Sequence, residues 1–166
     1  MGFPMFMENV KITAGFARAA GNGASTGDRV SLENYQRCAI LVKQEQAAGD
    51  ADSLSVTMYT AASGGSSSSG ITLYDFWYMA DVTAGTTADT WTKGTAATSV
   101  TTSATSSGVS YYLIDIDAQD LFASGTSYPF IAIVSGGAGS ASNYLSADYF
   151  LYNPRYGEDA LPSAQS

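Results

Sequence analysis

Histidine is absent from this 166-residue chain. That removes the usual general base at neutral pH, the commonest metal ligand, and every Ser–His or Cys–His nucleophile pair. Cysteine occurs once, as Cys38 between Arg37 and Ala39. No disulfide can form within the chain, and a lone thiol in an apolar run reads as a small buried hydrophobe. Charge is sparse: 13% of residues are Asp, Glu, Lys or Arg, against about 25% in an ordinary soluble domain. Seven Lys and Arg, spread singly, face fifteen acids for a net charge of −8. A phosphate backbone is repelled by such a balance, so nucleic acid is not an expected partner. No window approaches the ~20 apolar residues of a membrane-spanning helix. The opening MGFPMFMENV also lacks the basic end and long apolar run of an export signal. The expectation is a soluble protein with no membrane partner.

Ser and Thr together number 38, and Gly 17. The surface is therefore largely hydroxyl and glycine, a composition associated with extracellular or particle-bound β proteins. The length suits a single domain, enough to bury about 70% of the unfolded chain's surface without metal or disulfide staples.

Strand signals recur from end to end. Val10, Ile12, Ala14 and Phe16 alternate with polar or small residues, as in a half-buried strand. Residues 37–42 (RCAILV) form a continuous apolar run that suits a strand covered on both faces. Leu54, Val56 and Met58 alternate with Ser53, Ser55 and Thr57, and residues 71–79 (ITLYDFWYM) are rich in aromatic and β-branched side chains. Residues 111–116, 128–134 and 144–152 complete the set, with a weaker Thr/Val/Ser stretch at 99–105. Loops are expected at residues 21–27, 49–53, 63–70 (SGGSSSSG, read as a mobile hairpin tip), 84–89 and 135–142. There Gly supplies positive φ and Ser bonds its own backbone. Two short helical turns are expected, at 31–35 capped by Ser31 and at 118–122. The pattern predicts an all-β fold: a single β-sandwich of about eight strands, jelly-roll or immunoglobulin-like, with short helical turns. Periodicity does not choose between the two topologies.

Without histidine, the chemistry left is that of carboxylates, as in a glycosidase. Four Glu and eleven Asp supply material but no motif, and no enzymatic activity and no cofactor are expected. The densest acidic stretch is LIDIDAQDL, residues 113–121. Counted from Asp115 as a calcium loop, position 6 is Asp120 where Gly is required and position 12 is Thr126 where Glu is required. The structural reading is simpler. Tyr112, Ile114 and Ile116 share one strand face, and Tyr111, Leu113, Asp115 and Asp117 the other. Asp117 caps the following turn, Asp120 lies near a helix N-terminus, and Leu121 and Phe122 return to the core. No metal site is expected. Tyr74, Phe76, Trp77, Tyr78 and Trp91 are concentrated in one third of the chain. Alternating strand aromatics read as core and inter-sheet packing, while exposed Trp and Tyr faces are how sandwich modules hold sugars.

The chain divides into an apolar N-terminal arm (1–9), a sandwich domain (10–156) and a polar C-terminal tail (157–166). Phe3, Met5, Phe6 and Met7 of the arm require burial against the chain's own domain or a neighbour. They are the expected partner-binding residues, since arms of this kind clasp the subunits of an assembly.

The order of four segments carries a resemblance: SLENYQRCAILV (31–42), YYLIDIDAQDL (111–121), YPFIAIVSG (128–136) and YFLYNPRYGE (149–158). In this order the sequence resembles small virion structural proteins of tailed bacteriophages, of the head decoration or cement type. The resemblance implies a non-enzymatic protein on the phage head surface, with the major capsid protein as partner, a homotrimeric state and adhesion through residues 1–9 and the loops. A tail or head-tail connector component and a carbohydrate-binding sandwich module are the alternative expectations.

Overall fold

The computed structural model describes residues 10–20, 23–69, 71–82, 90–103, 108–137 and 143–155. The arm, the tail and the loop expected at 84–89 lie outside the described residues, as do parts of the loops expected at 21–27, 63–70 and 135–142.

In chain order the first strands are β1 (Val10–Ala20), β2 (Ser25–Thr26), β3 (Val30–Ser31), β4 (Tyr35–Gln46) and β5 (Ala51–Tyr59). The middle of the chain forms β6 (Ser67–Ser69), β7 (Asp75–Val82), β8 (Thr92–Lys93) and β9 (Val100–Ser103). The last part forms β10 (Gly108–Asp117), a 3₁₀ turn (Ala118–Asp120), β11 (Phe122–Ala123), β12 (Thr126–Ser127), β13 (Phe130–Ser135) and β14 (Tyr144–Pro154). One sheet runs β1-β14-β4-β10-β7-β8, and the other β2-β13-β5-β6, with β3 also on β13 and β9 also on β5. Every pairing is antiparallel.

The pairings nest. β1 lies on β14, β2 and β3 on β13, β4 on β10, and β5 on β6 and β9. The chain is thus one long antiparallel hairpin, bent after β5, whose successive sections fall in alternate sheets. The pairs β14·β4 and β13·β5 then close each sheet. This is jelly-roll connectivity, with eight strand positions in two sheets; it is the first of the two topologies the sequence permits. β7 and β8 interrupt the position shared by β6 and β9 and extend the first sheet beyond β10.

The core lies between the sheets. β4 presents Cys38, Ile40 and Val42 inward, β10 presents Tyr112, Ile114 and Ile116, and β14 presents Ala147, Tyr149 and Leu151. Leu54, Val56 and Met58 of β5 and Ile131 and Ile133 of β13 face them from the second sheet. Tyr149 ties the layers together, its hydroxyl accepting from Ile133 N–H at 2.9 Å and donating to the Asp28 carbonyl at 3.0 Å. One part of the interior is polar. Asp52, 4% exposed, accepts from Gln44 Nε2 at 3.0 Å, Ser135 Oγ at 2.6 Å and its neighbour Ser53 N–H at 2.6 Å. Gln46 beside it donates to Thr102 Oγ1 at 3.1 Å.

Several expectations need correction, among them the loop expected at 21–27, which contains β2 (Ser25–Thr26). Val10, Ile12, Ala14 and Phe16 do not share a face. The register of β1 on β14 shifts between Ala14 and Phe16, and such a bulge swaps the faces of the strand. Phe16 packs on the core, while Ile12 is 42% exposed. Gly15 permits the bulge, because a Cβ there would press on the Tyr149 ring. Phe122 does not return to the core: it is 63% exposed on the β11–β12 hairpin, while Leu121 is buried. The serine run is more than a hairpin tip, since Ser67–Ser69 form β6 on β5. Arg29 fastens the preceding loop by donating to the carbonyls of Ala61 and Gly64. The segment expected at 49–53 is a shorter turn, closed by Asp50 N–H on the Ala47 carbonyl, with β5 already begun at Ala51. The helical turn expected at 31–35 is instead a tight turn between β3 and β4, closed by Tyr35 N–H on the Leu32 carbonyl, and the one expected at 118–122 is the shorter 3₁₀ turn Ala118–Asp120; both keep the side-chain bond expected of the preceding residue. Ser31 Oγ accepts from Glu33 N–H, and Asp117 Oδ1 accepts from Gln119 N–H at 2.9 Å.

Candidate functional site

An antiparallel sheet with one face on a core commonly turns polar residues to the other. The first sheet departs from that rule. Residues alternate along each strand, so the register places Phe150 beside Ala39, Ala39 beside Asp115, Leu41 beside Leu113 and Leu113 beside Trp77 on the outer face. At one margin Val10 pairs with Tyr152. These side chains, with Trp91 and Asn153, line an open groove of about 720 Å³. Trp91 is 39% exposed.

The charged groups at the groove are already engaged. Asp115 accepts from Arg37 Nη2 at 2.7 Å and Nε at 3.3 Å, and from the Tyr152 hydroxyl at 2.8 Å. Arg37 also lies 4.0 Å from Asp117. Its guanidinium is held protonated above its ordinary range, first by the bond to Asp115. Burial pushes the Tyr152 phenol up to about 12, with the Asp115 carboxylate acting in the same direction. At the far rim Asp75 accepts from Lys93 Nζ at 2.8 Å, which holds the Asp75 carboxyl below its usual value. The Lys93 ammonium stands 5.4 Å from the Trp77 ring centroid. The Asp115 carboxylate is thus engaged by Arg37 and Tyr152 together. With its other lining residues mostly apolar, the groove can hold an apolar ligand.

The acids of residues 113–121 separate once placed. Asp115 faces the groove, Asp117 caps the turn, and Asp120 is exposed. Burial, and then the neighbouring Asp117 charge, raise the Asp120 carboxyl. No cluster of three metal-ligating residues occurs among the described residues. The aromatic group divides as well. Phe76 is buried, and Tyr78 stacks on Tyr112 with ring centroids 6.4 Å apart, as core packing requires. Trp77 and Trp91 line the groove instead, and Tyr74 is 60% exposed. Phe3, Met5, Phe6 and Met7 lie outside the described residues. The groove itself was not read from the sequence, yet two signals pointed to it. RCAILV is apolar at both parities, and Leu113 and Phe150 sit on the parity opposite the core residues of their strands.

Comparison with known proteins finds no matching family model, no matching curated protein and no matching solved structure.

Proposed function

We propose that this chain is a non-enzymatic virion structural protein, a capsid decoration or cement protein seated on the outer surface of a phage head. In this role it binds the major capsid protein, acts as a homotrimer and stabilises contacts between capsomers. The observation that carries the reading is the outer face of the first sheet, an apolar surface at whose margins Arg37 is paired with Asp115 and Lys93 with Asp75. Exposed apolar patches rimmed by polar residues mark interaction surfaces. Phe122, 63% exposed on its hairpin, adds a second apolar projection. A decoration protein performs no chemistry; its many weakly bound copies add contact area across capsomer joints, and multivalency makes the sum strong. The net charge of −8 keeps free copies soluble before assembly.

Immunogold labelling and copy counting on purified particles test the reading. Label over the head lattice, in hundreds of copies, is the expected result. Label confined to the tail or the head-tail joint in units of six or twelve, or absent from particles, overturns it. One observation favours a second reading: Trp77 and Trp91 share a groove, as in modules that stack sugar rings. A glycan-dependent shift of tryptophan emission would select that reading.

A further inference from the structure

The polar part of the interior holds a charge without a counter-charge. Asp52 and Thr102 pair in register between β5 and β9, and Gln44 and Gln46, two residues apart on β4, reach them from the other sheet. Each of these four residues is at most 4% exposed. The hydroxyl protons of the group are spent: Ser135 donates to Asp52 Oδ2 at 2.6 Å, and Thr102 donates to the Asp52 carbonyl at 3.4 Å while accepting from Gln46. Among the described residues no Lys or Arg pairs with Asp52.

Two oxygens of the same group are left over. Gln44 Oε1 and Gln46 Oε1 are buried and have no hydrogen-bond partner. The Gln44 amide cannot be turned over to relieve its oxygen. An ionised carboxylate only accepts, so Nε2 has to face Asp52. The Gln46 amide is anchored on Thr102 Oγ1 at 3.1 Å. Each amide is a short group, so both oxygens lie beside the Asp52–Thr102 pair. A buried acceptor left unsatisfied costs its full desolvation penalty, and a buried charge is costly unless it is paired. Surplus acceptor oxygens around one uncompensated negative charge make the ligand set of a hard cation, for which carboxylate and Gln carbonyl oxygens are suited.

We infer that Asp52, Gln44 and Gln46 bind one alkali cation, Na⁺ or K⁺, with the hydroxyl oxygens of Thr102 and Ser135 beside it. The single carboxylate sets the charge class, since one positive charge balances Asp52 and a divalent ion leaves a net charge buried. Asp50, the nearest acid in sequence, is half-buried and bonded to Asn143. The oxygens come from β4 in one sheet and from β5, β9 and β13 in the other. The ion therefore fastens the two layers at the end of the sandwich where β4 turns into β5. This inference goes beyond the decoration reading and does not rest on it.

Urea denaturation of the full chain tests it, in sodium, potassium or N-methylglucamine chloride at one ionic strength. The organic cation is too large for an enclosed site, so it supplies the screening alone. A ligand that binds only the folded state raises stability with the logarithm of its concentration once above its dissociation constant. The expected result is a higher urea midpoint in sodium or potassium than in N-methylglucamine, with a gap that widens as alkali ion replaces the organic one. The salt that gives the larger gap identifies the ion. Equal midpoints in all three overturn the proposal, and leave the amide oxygens to water or to a turn of Gln46. A rise that calcium chloride alone produces also overturns it. Gln46→Leu keeps the bonds to the Asp52 carboxylate and removes one unpartnered oxygen, so the gap is expected to shrink; a gap of undiminished size overturns the assignment. Gln46→Glu places a second carboxylate in the group, and calcium is then expected to raise the midpoint. A variant indifferent to calcium overturns the proposal. No capsid is present in these measurements, so their failure and that of the decoration reading are separate events.

Discussion

Asp117 stands where β10 gives way to the turn Ala118–Asp120, and its side chain accepts the Gln119 N–H. Asp117→Ala is expected to cost about 1 kcal/mol in urea denaturation, the worth of a lost cap. The loss should be the same with calcium or with chelator; a calcium-dependent midpoint would mean that the carboxylates of residues 113–121 bind metal after all. Two residues earlier in β10, Asp115 gives a different kind of prediction through its partner. Tyr152 has a folded pKa of about 12 against an ordinary 10.0. The folded state therefore holds this proton where the unfolded chain has lost it. Stability is fully retained below pH 10 and falls as pH rises from there toward 12. Tyr149, pushed up by its burial, adds to the same slope. Tyr152→Phe should reduce the slope without abolishing it, measured as urea midpoints at several alkaline pH values. An unchanged slope would show that Tyr152 titrates like a free phenol.

β8 illustrates how an element can depend on one missing side chain. Gly94, just after it, donates to the Phe76 carbonyl at 2.9 Å, and a Cβ at Gly94 would overlap the Phe76 ring. Gly94→Ala should destabilise the protein by about 1–3 kcal/mol, the usual cost of overpacking. In a Phe76→Leu background the added loss should be smaller, because the ring that clashes is gone. Equal losses in both backgrounds would place the strain elsewhere. The long strands were legible in the sequence because their core residues alternate: Cys38, Ile40 and Val42, or Tyr112, Ile114 and Ile116. What periodicity could not supply was the meaning of a strand apolar on both sides. In β4 the second apolar face looks onto the groove and not into a second core layer, and local sequence carries no mark of the difference. The bulge at Gly15 was equally silent, because its cause is a ring more than a hundred residues away, that of Tyr149. Two-residue strands such as β2 and β8 have too few positions to show a period. Their pairing is imposed by β13 and β7.

The whole molecule is one hairpin rolled into two sheets, and its strand order is a property of contacts distant in sequence. That is why most of the strands could be anticipated while their order could not; the position formed by β2 and β3 was expected as a loop and a helical turn, and the strand expected at 71–79 became β7, outside the eight positions. The buried group around Asp52 belongs to this scale as well. It joins β4, β5 and β13 through hydrogen bonds that hold in one alignment only, where an apolar contact would tolerate a slip. The same rolling brings the two ends of the sandwich together, since Val10 of β1 lies against Tyr152 of β14. In mechanical terms, a pull applied between residues 10 and 155 would open the β1–β14 pairs one after another, as a zipper opens. A load spread over the sheet faces would meet all the strands at once. The fold makes a weak tether and a stiff spacer.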